Sequence, residues 1–280
     1  MTVVVAVVSS DGLALASDSA TTQRMLDGSG IIRTSNVWNS ANKIFNLRKC
    51  WPVGAMTFGR ADIGGNSIAT HAKNLRARLS GDTPDPAVPV LDPETFTIEQ
   101  VAHAVSDYFS VQCSSEPGAG ALGFLVAGFG GSECSPEVWN VMIDSGSSTV
   151  SQVIPAGDTG IVHQGMTDAI TRLVDGAGQD LGTVLEGMGA LPAGEGEVFS
   201  EAVRDQLRMD WAWAGMPLGE TIDMARFLVD TQINFTRFMP GDAMVGGPIE
   251  IAALTKHEGF KWVQRKHFYP PELNPIVGGT

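Results

Sequence analysis

Cysteine is scarce in this chain. Cys50, Cys113 and Cys134 are the only three in 280 residues, too few and too scattered for a disulfide framework or a thiolate zinc site. That usage fits a reducing compartment, and a cytoplasmic location is expected. Positive charge is short as well, with 18 Lys and Arg against 31 Asp and Glu and a formal net charge of −13. Such a balance opposes a phosphate-neutralising surface, so nucleic acid is not an expected partner. Long apolar runs are missing too. Nothing approaches the roughly 18 consecutive apolar residues that a membrane span needs. The opening TVVVAVV lacks a basic leader and runs into Ser9-Ser10-Asp11-Gly12 instead of a small-residue cleavage site. Neither anchoring in a membrane nor export is expected. His71, His103, His163, His257 and His267 include no pair at metal-ligand spacing beside an acid, so no metal and no cofactor are implied. Gly118 to Gly123 fits GxGxxG by letter, but it precedes a predicted strand and reads as a loop, not a dinucleotide site.

What the chain does have is apolar content, 43% over 280 residues, enough to bury the core of one large domain. Thr2 to Val8 is a β-branched run, Asp11-Gly12 is a turn signal and Leu13 to Ser17 alternates large and small apolar residues, which together predict a hairpin. After a polar stretch from Thr21 to Asn42, Lys43 to Leu47 and Val53 to Phe58 read as two strands. Ile68, Ala72, Leu75 and Leu79 then fall along one helical face. Beyond a Pro-rich link, Thr97 and Gln100 form a capping box for a second helix. Strands follow at Gly123 to Phe129, Val138 to Ile143, Thr149 to Ile154 and Gly160 to His163, then a helix around Ile170. A long helix from about Leu218 to Phe238 leads to a closing hairpin, Pro248 to Thr255 and Phe260 to Arg265. Residues 178–215, rich in Gly with weak helical periodicity, read as a helical insertion, and 268–280 as an irregular tail. Strands, two helices, strands, two helices, strands is the order of an α+β chain in which two sheets pack face to face with helices outside each. The expected fold is a four-layer αββα sandwich in a single domain, 1–280.

Amide hydrolysis needs a nucleophile, a base, a nearby positive charge and donors for the oxyanion. With Met1 removed, as is usual before a small second residue, Thr2 supplies both a hydroxyl and an α-amine with a reference pKa of about 7.7–8.0. Taken singly, each candidate has a plainer reading. Thr2 suits an edge strand, Asp18 suits a turn and Lys43 suits a solvated strand end. Trp211 and Trp213 either complete a core or form a contact patch.

The segments TVVVAVVSSDGLALASDS, NKIFNL and VGAMTFGRAD, in that order, resemble the opening of proteasome β-type subunits and their bacterial relatives of the HslV and Anbu-like kind. The later GDAMVGGPIEIAALTKHEGFKWV resembles the closing part of the same family. The resemblance covers about half the chain, and it implies the N-terminal nucleophile (Ntn) hydrolase fold and a threonine peptidase. By it Thr2 attacks, Lys43 supplies positive charge, Asp18 holds Lys43, and Asp242 helps orient the amine. An N–H in the turn Thr57-Phe58-Gly59, with Gly59 as the candidate, stabilises the oxyanion. Substrate would lie near Thr21, Thr22, Met56, Thr57 and Phe58, with a hydrophobic or small side chain preceding the scissile bond. Two positions depart from the family. His163-Gln164-Gly165 stands where a serine is usual, with Gln164 as a substitute donor, and Val245 replaces a second serine. The resemblance further implies assembly with itself into a ring that acts on peptides or proteins, with an unfoldase partner left open. Two other readings remain: a catalytically silent structural subunit, and an Ntn amidase acting on small amides.

Overall fold

The computed structural model describes residues 2–26, 32–83, 90–116, 118–145, 147–241 and 244–266. The opening run forms β1 (Val3–Val8) and, after the turn, β2 (Leu13–Ser17). Next come β3 (Thr21–Leu26), β4 (Ile32–Trp38), β5 (Ile44–Asn46), β6 (Val53–Gly59) and two short strands, β7 (Asp62–Ile63) and β8 (Asn66–Ser67). Helices α1 (Ile68–Leu79) and α2 (Ile98–Cys113) precede β9 (Leu122–Gly128), β10 (Glu137–Asp144), β11 (Ser147–Ile154) and β12 (Gly160–Gly165). The chain continues through α3 (Asp168–Val174), α4 (Leu181–Gly187), α5 (Gly196–Leu207) and α6 (Leu218–Phe238) to β13 (Glu250–Thr255) and β14 (Gly259–Gln264). The fold is mixed, with six helices among the described residues and antiparallel sheets. No described helix is long and apolar enough to cross a membrane.

Two five-stranded sheets carry the architecture, ordered β12-β1-β2-β13-β14 and β11-β10-β9-β6-β5. β1 is buried at every position, which explains why its sequence is continuously apolar instead of alternating. Val4, Ala6 and Val8 join Leu13, Leu15, Met56, Phe58, Leu125 and Ala252 in a cluster fed by both sheets. Val3, Val5 and Val7 point the other way, into a cluster with Ile170, Ala225, Leu228 and Val229 from α3 and α6. On the far side of the second sheet, Val53, Ala55, Phe124 and Val126 pack against Leu75 of α1 and Val105 and Phe109 of α2.

The capping box forms as its sequence predicts. Thr97 Oγ1 accepts from Gln100 N at 3.1 Å, and Gln100 Oε1 accepts from Thr97 N at 3.1 Å. The long helix and closing hairpin also lie where periodicity puts them. The stretch read only as polar differs: it contains the β3–β4 ribbon, which stands outside both large sheets and pairs Thr21 with Trp38 and Thr22 with Val37. Residues 178–215 hold α4 and α5, and their glycines have a packing reason. A Cβ at Gly182 would meet Gly196 O at 2.2 Å, so the two helices cross backbone to backbone. Trp211 stacks toward Phe227 of α6 with centroids 6.4 Å apart, while Trp213 is exposed. The expected irregular tail, 268–280, lies outside the described residues.

Replacing Thr97 with Ala removes a side-chain acceptor from an exposed N–H at the start of α2. Stability should fall by about 1 kcal/mol, read as a lower urea midpoint at unchanged slope.

Candidate active site

The turn after β2 delivers Asp18 to a position with no solvent exposure. A carboxylate there must find donors, because an unpaired buried charge is very costly. It finds four. Oδ1 accepts from Val3 N at 2.9 Å and from Lys43 Nζ at 2.5 Å; Oδ2 accepts from Ala20 N at 3.0 Å and Gly246 N at 3.1 Å. Lys43, immediately before β5, is 4% exposed. Burial is the largest influence on its ammonium and lowers its pKa below the ordinary lysine range, against the raising effect of Asp18.

Thr2 is 7% exposed and sits directly before the Val3 amide that bonds to Asp18. Its carbonyl accepts from Met166 N at 2.7 Å. Gly165, at φ +93°, allows this approach, since a Cβ there would lie 2.0 Å from Thr2 O. Strand alternation carries the Thr2 side chain to the same face as Val4, which lines the space between the two sheets. The fold thus brings Asp18 and Lys43 together from separate segments and ties the pair to the amide next to Thr2. Asp242 lies outside the described residues.

Thr57 N donates to Lys43 O at 2.9 Å. Alternation along the ladder then aims the Gly59 N–H at the same edge of β6, whereas Phe58 N–H faces β9, across from Gly123. The five proposed substrate contacts do not share one wall. Met56 is fully buried in the inter-sheet cluster with Phe58, while Thr57 faces the opposite side and its hydroxyl donates to Gly123 O at 3.3 Å. Thr21 and Thr22 are half-buried and follow Ala20, an Asp18 ligand.

At the amine end, Gln164 pairs with Val4 and therefore shares the inter-sheet face. His163 points the other way: its Nε2 lies 3.4 Å from Asp175 Oδ2, whose Oδ1 accepts from Arg208 Nε at 3.1 Å. Burial is the largest influence on Asp175 and raises its pKa, but His163 and Arg208 together hold it below the ordinary carboxylate range. Val245 is buried in the apolar cluster beneath α6, so no hydroxyl stands there.

Four residues went unnoticed in the sequence. Ser17, paired with both Val4 and Glu250, has a buried hydroxyl without a hydrogen-bond partner. Glu250 is 1% exposed and Lys266 joins it as an ion pair at 3.0 Å. Ser19 Oγ accepts from Lys266 Nζ at 2.5 Å and donates to Pro248 O. An acid leading into the apolar run IAAL of β13 was the available signal for Glu250; for Lys266 the sequence offers none. Among the described residues no cluster of His, Cys, Asp and Glu is arranged to hold a metal.

No protein-family model matches the chain, and no curated protein matches it. Solved structures do. Anbu (ancestral beta-subunit) from Yersinia bercovieri superposes with a TM-score of 0.51 at 14% identity, over 95% of this chain and 89% of that one. The Anbu complex from Pseudomonas aeruginosa, solved as a helical assembly, gives 0.48 at 16% identity over 95% and 88%. An Anbu mutant from Hyphomicrobium sp. strain MC1 gives 0.48 at 18% identity over 95% and 86%. The first of these likenesses is one of fold.

Two outcomes follow from the electrostatics. Lys43→Met strands the Asp18 carboxylate without its cation, and stability should drop by about 3–5 kcal/mol in chemical denaturation. For Asp175 the folded pKa lies below the unfolded 3.8, so its contribution is present above the unfolded value and lost as pH falls through the folded one. Thermal unfolding measured from pH about 6 to about 2 should therefore fall less steeply at the acid end for Asp175→Asn than for the wild type.

Proposed function

We propose that this chain is an N-terminal threonine hydrolase that cleaves peptide or amide bonds through an acyl-Thr2 ester. One observation carries the reading: the buried Asp18–Lys43 pair bonds to the amide of Val3, the residue joined to Thr2. After removal of Met1, the Thr2 hydroxyl attacks the substrate carbonyl carbon and its proton passes to the Thr2 α-amine, directly or through a water. Lys43 supplies a positive charge that lowers the cost of the forming alkoxide. Gly59 N–H, aimed at the Lys43 edge, is the oxyanion donor. The tetrahedral intermediate collapses with loss of the substrate amine, which takes the proton from the α-amine. Water then attacks the ester by the reverse proton route and frees Thr2.

The clusters on the two outer faces and between the sheets support a four-layer αββα sandwich of the Ntn-hydrolase kind. Asp242 is assigned to the amine by the family resemblance, with Gln164 as the donor on the inter-sheet face. Thr21, Thr22 and Phe58 remain the side chains assigned to substrate. Self-assembly around an enclosed chamber fits the name of the Yersinia relative, a beta-subunit. It also fits the exposed Met188, Val198 and Trp213 in and after α4 and α5, since exposed apolar surface marks contact sites. A silent structural subunit is the second reading, favoured by Val245 packing in apolar surroundings where a serine would serve the amine.

Intact mass and a peptidyl β-lactone, whose strained ring opens on attack by a hydroxyl, decide between them. The active reading expects a chain starting at Thr2 that gains the whole lactone mass at that residue, and loses this gain in Thr2→Ala. A chain that retains Met1 would sink it. Turnover of acyl-amino-acid amides with none of fluorogenic peptides would instead indicate a small-molecule amidase.

A further inference from the structure

Behind the Asp18–Lys43 pair lies a second buried pair that the chemistry above does not use. Glu250 opens β13, opposite Ser17 and on the face that continues as Ala252 and Leu254 between the sheets. Lys266 follows β14, and its ammonium, in a side chain 8% exposed, has three oxygen neighbours. These are Ser19 Oγ at 2.5 Å, Ala41 O at 2.6 Å and Glu250 Oε2 at 3.0 Å. Ser19 directly follows Asp18, and Ala41 stands two residues before Lys43. The two segments also bond to each other, Ala41 N donating to Ser19 O at 3.0 Å. One ammonium therefore clasps the loop that carries the acid to the loop that carries the lysine.

Stability alone is a poor reason for such a pair. Desolvating two charges costs about what their attraction returns, and well-packed apolar residues commonly do as well or better. Two such pairs lie side by side at one end of the inter-sheet space, next to Thr2. We infer that Lys266, held by Glu250, is a positioning residue for the reaction of Thr2: it fixes the separation and direction of Asp18 and Lys43. This rests on the threonine-hydrolase reading.

The pair also acts on Lys43 through space. Among the described residues the charges bearing on Lys43 are Asp18 and Glu250, which raise its pKa, and Lys266, which lowers it. Removing Lys266 should move the alkaline limb of reaction, where Lys43 loses its proton, to higher pH, and removing the Glu250 charge should move it lower. These opposed shifts report that both charges stand close to Lys43, and the acylation rate, restored by Lys266→Arg, reports the positioning.

The test is the rate of Thr2 acylation by the peptidyl β-lactone across pH, with thermal unfolding recorded for each protein. Lys266→Met should slow acylation roughly tenfold to a hundredfold, the scale for a misplaced catalytic group. Lys266→Arg, which keeps charge and donors, should recover most of the rate. Should Lys266→Met fail to fold, the double variant Glu250→Gln with Lys266→Met removes both buried charges and takes its place. A folded variant lacking the Lys266 ammonium that reacts at the wild-type rate at its own optimum pH overturns the inference alone. A wild-type protein unreactive at Thr2 overturns the hydrolase reading and this inference with it.

Discussion

The site depends on satisfying one carboxylate. Asp18 has no solvent exposure, and its four donors come from the start of β1, the turn after β2, the residue before β5 and the loop before β13. None of these donors can be lost cheaply, because water is not there to replace it. The consequence is that Thr2 reaches its place only when the first hairpin, the second sheet and the closing hairpin have all docked. Assembly of this end of the fold and of the candidate site are therefore coupled, and the resulting rigidity suits the role proposed for Thr2.

The same requirement explains how the two faces of β1 are used. Val3, Val5 and Val7 are held by α3 and α6, and Val4, Ala6 and Val8 by the opposing sheet. A strand gripped on both faces cannot slide by one residue without exchanging its two apolar sets. Register is thereby fixed along the strand that ends at Thr2, and Gly165 lets the neighbouring strand close over the Thr2 carbonyl.

Legibility in the sequence followed periodicity and sequence distance. Helix α6, the capping box of α2 and the β13–β14 hairpin were readable because their signals are local and strong. The β3–β4 ribbon was not: TTQRML and IRTSNVW carry no clean alternation, as suits a ribbon that joins neither large sheet. In α4 and α5 the glycines that permit a close crossing also dilute the helical pattern. Thr2, Asp18 and Lys43 were each ambiguous alone and became a set only through the family resemblance. Lys266 was beyond reach, for it meets Ser19 across 247 residues and nothing local marks it.

Around Val4 the two faces of β1 differ in the polar groups they meet. Val245 contributes to apolar packing with Val3 and Val5 on the helix-facing side of β1. The inter-sheet side differs. Ser17 and Gln164 both stand opposite Val4, one on each neighbouring strand, and Ser17 holds a buried hydroxyl without a partner. Polar atoms left unsatisfied in a core are uncommon and call for a reason. Under the proposed reaction the reason would be position, since the hydroxyl lies on the inter-sheet face of β1 that alternation also gives to Thr2.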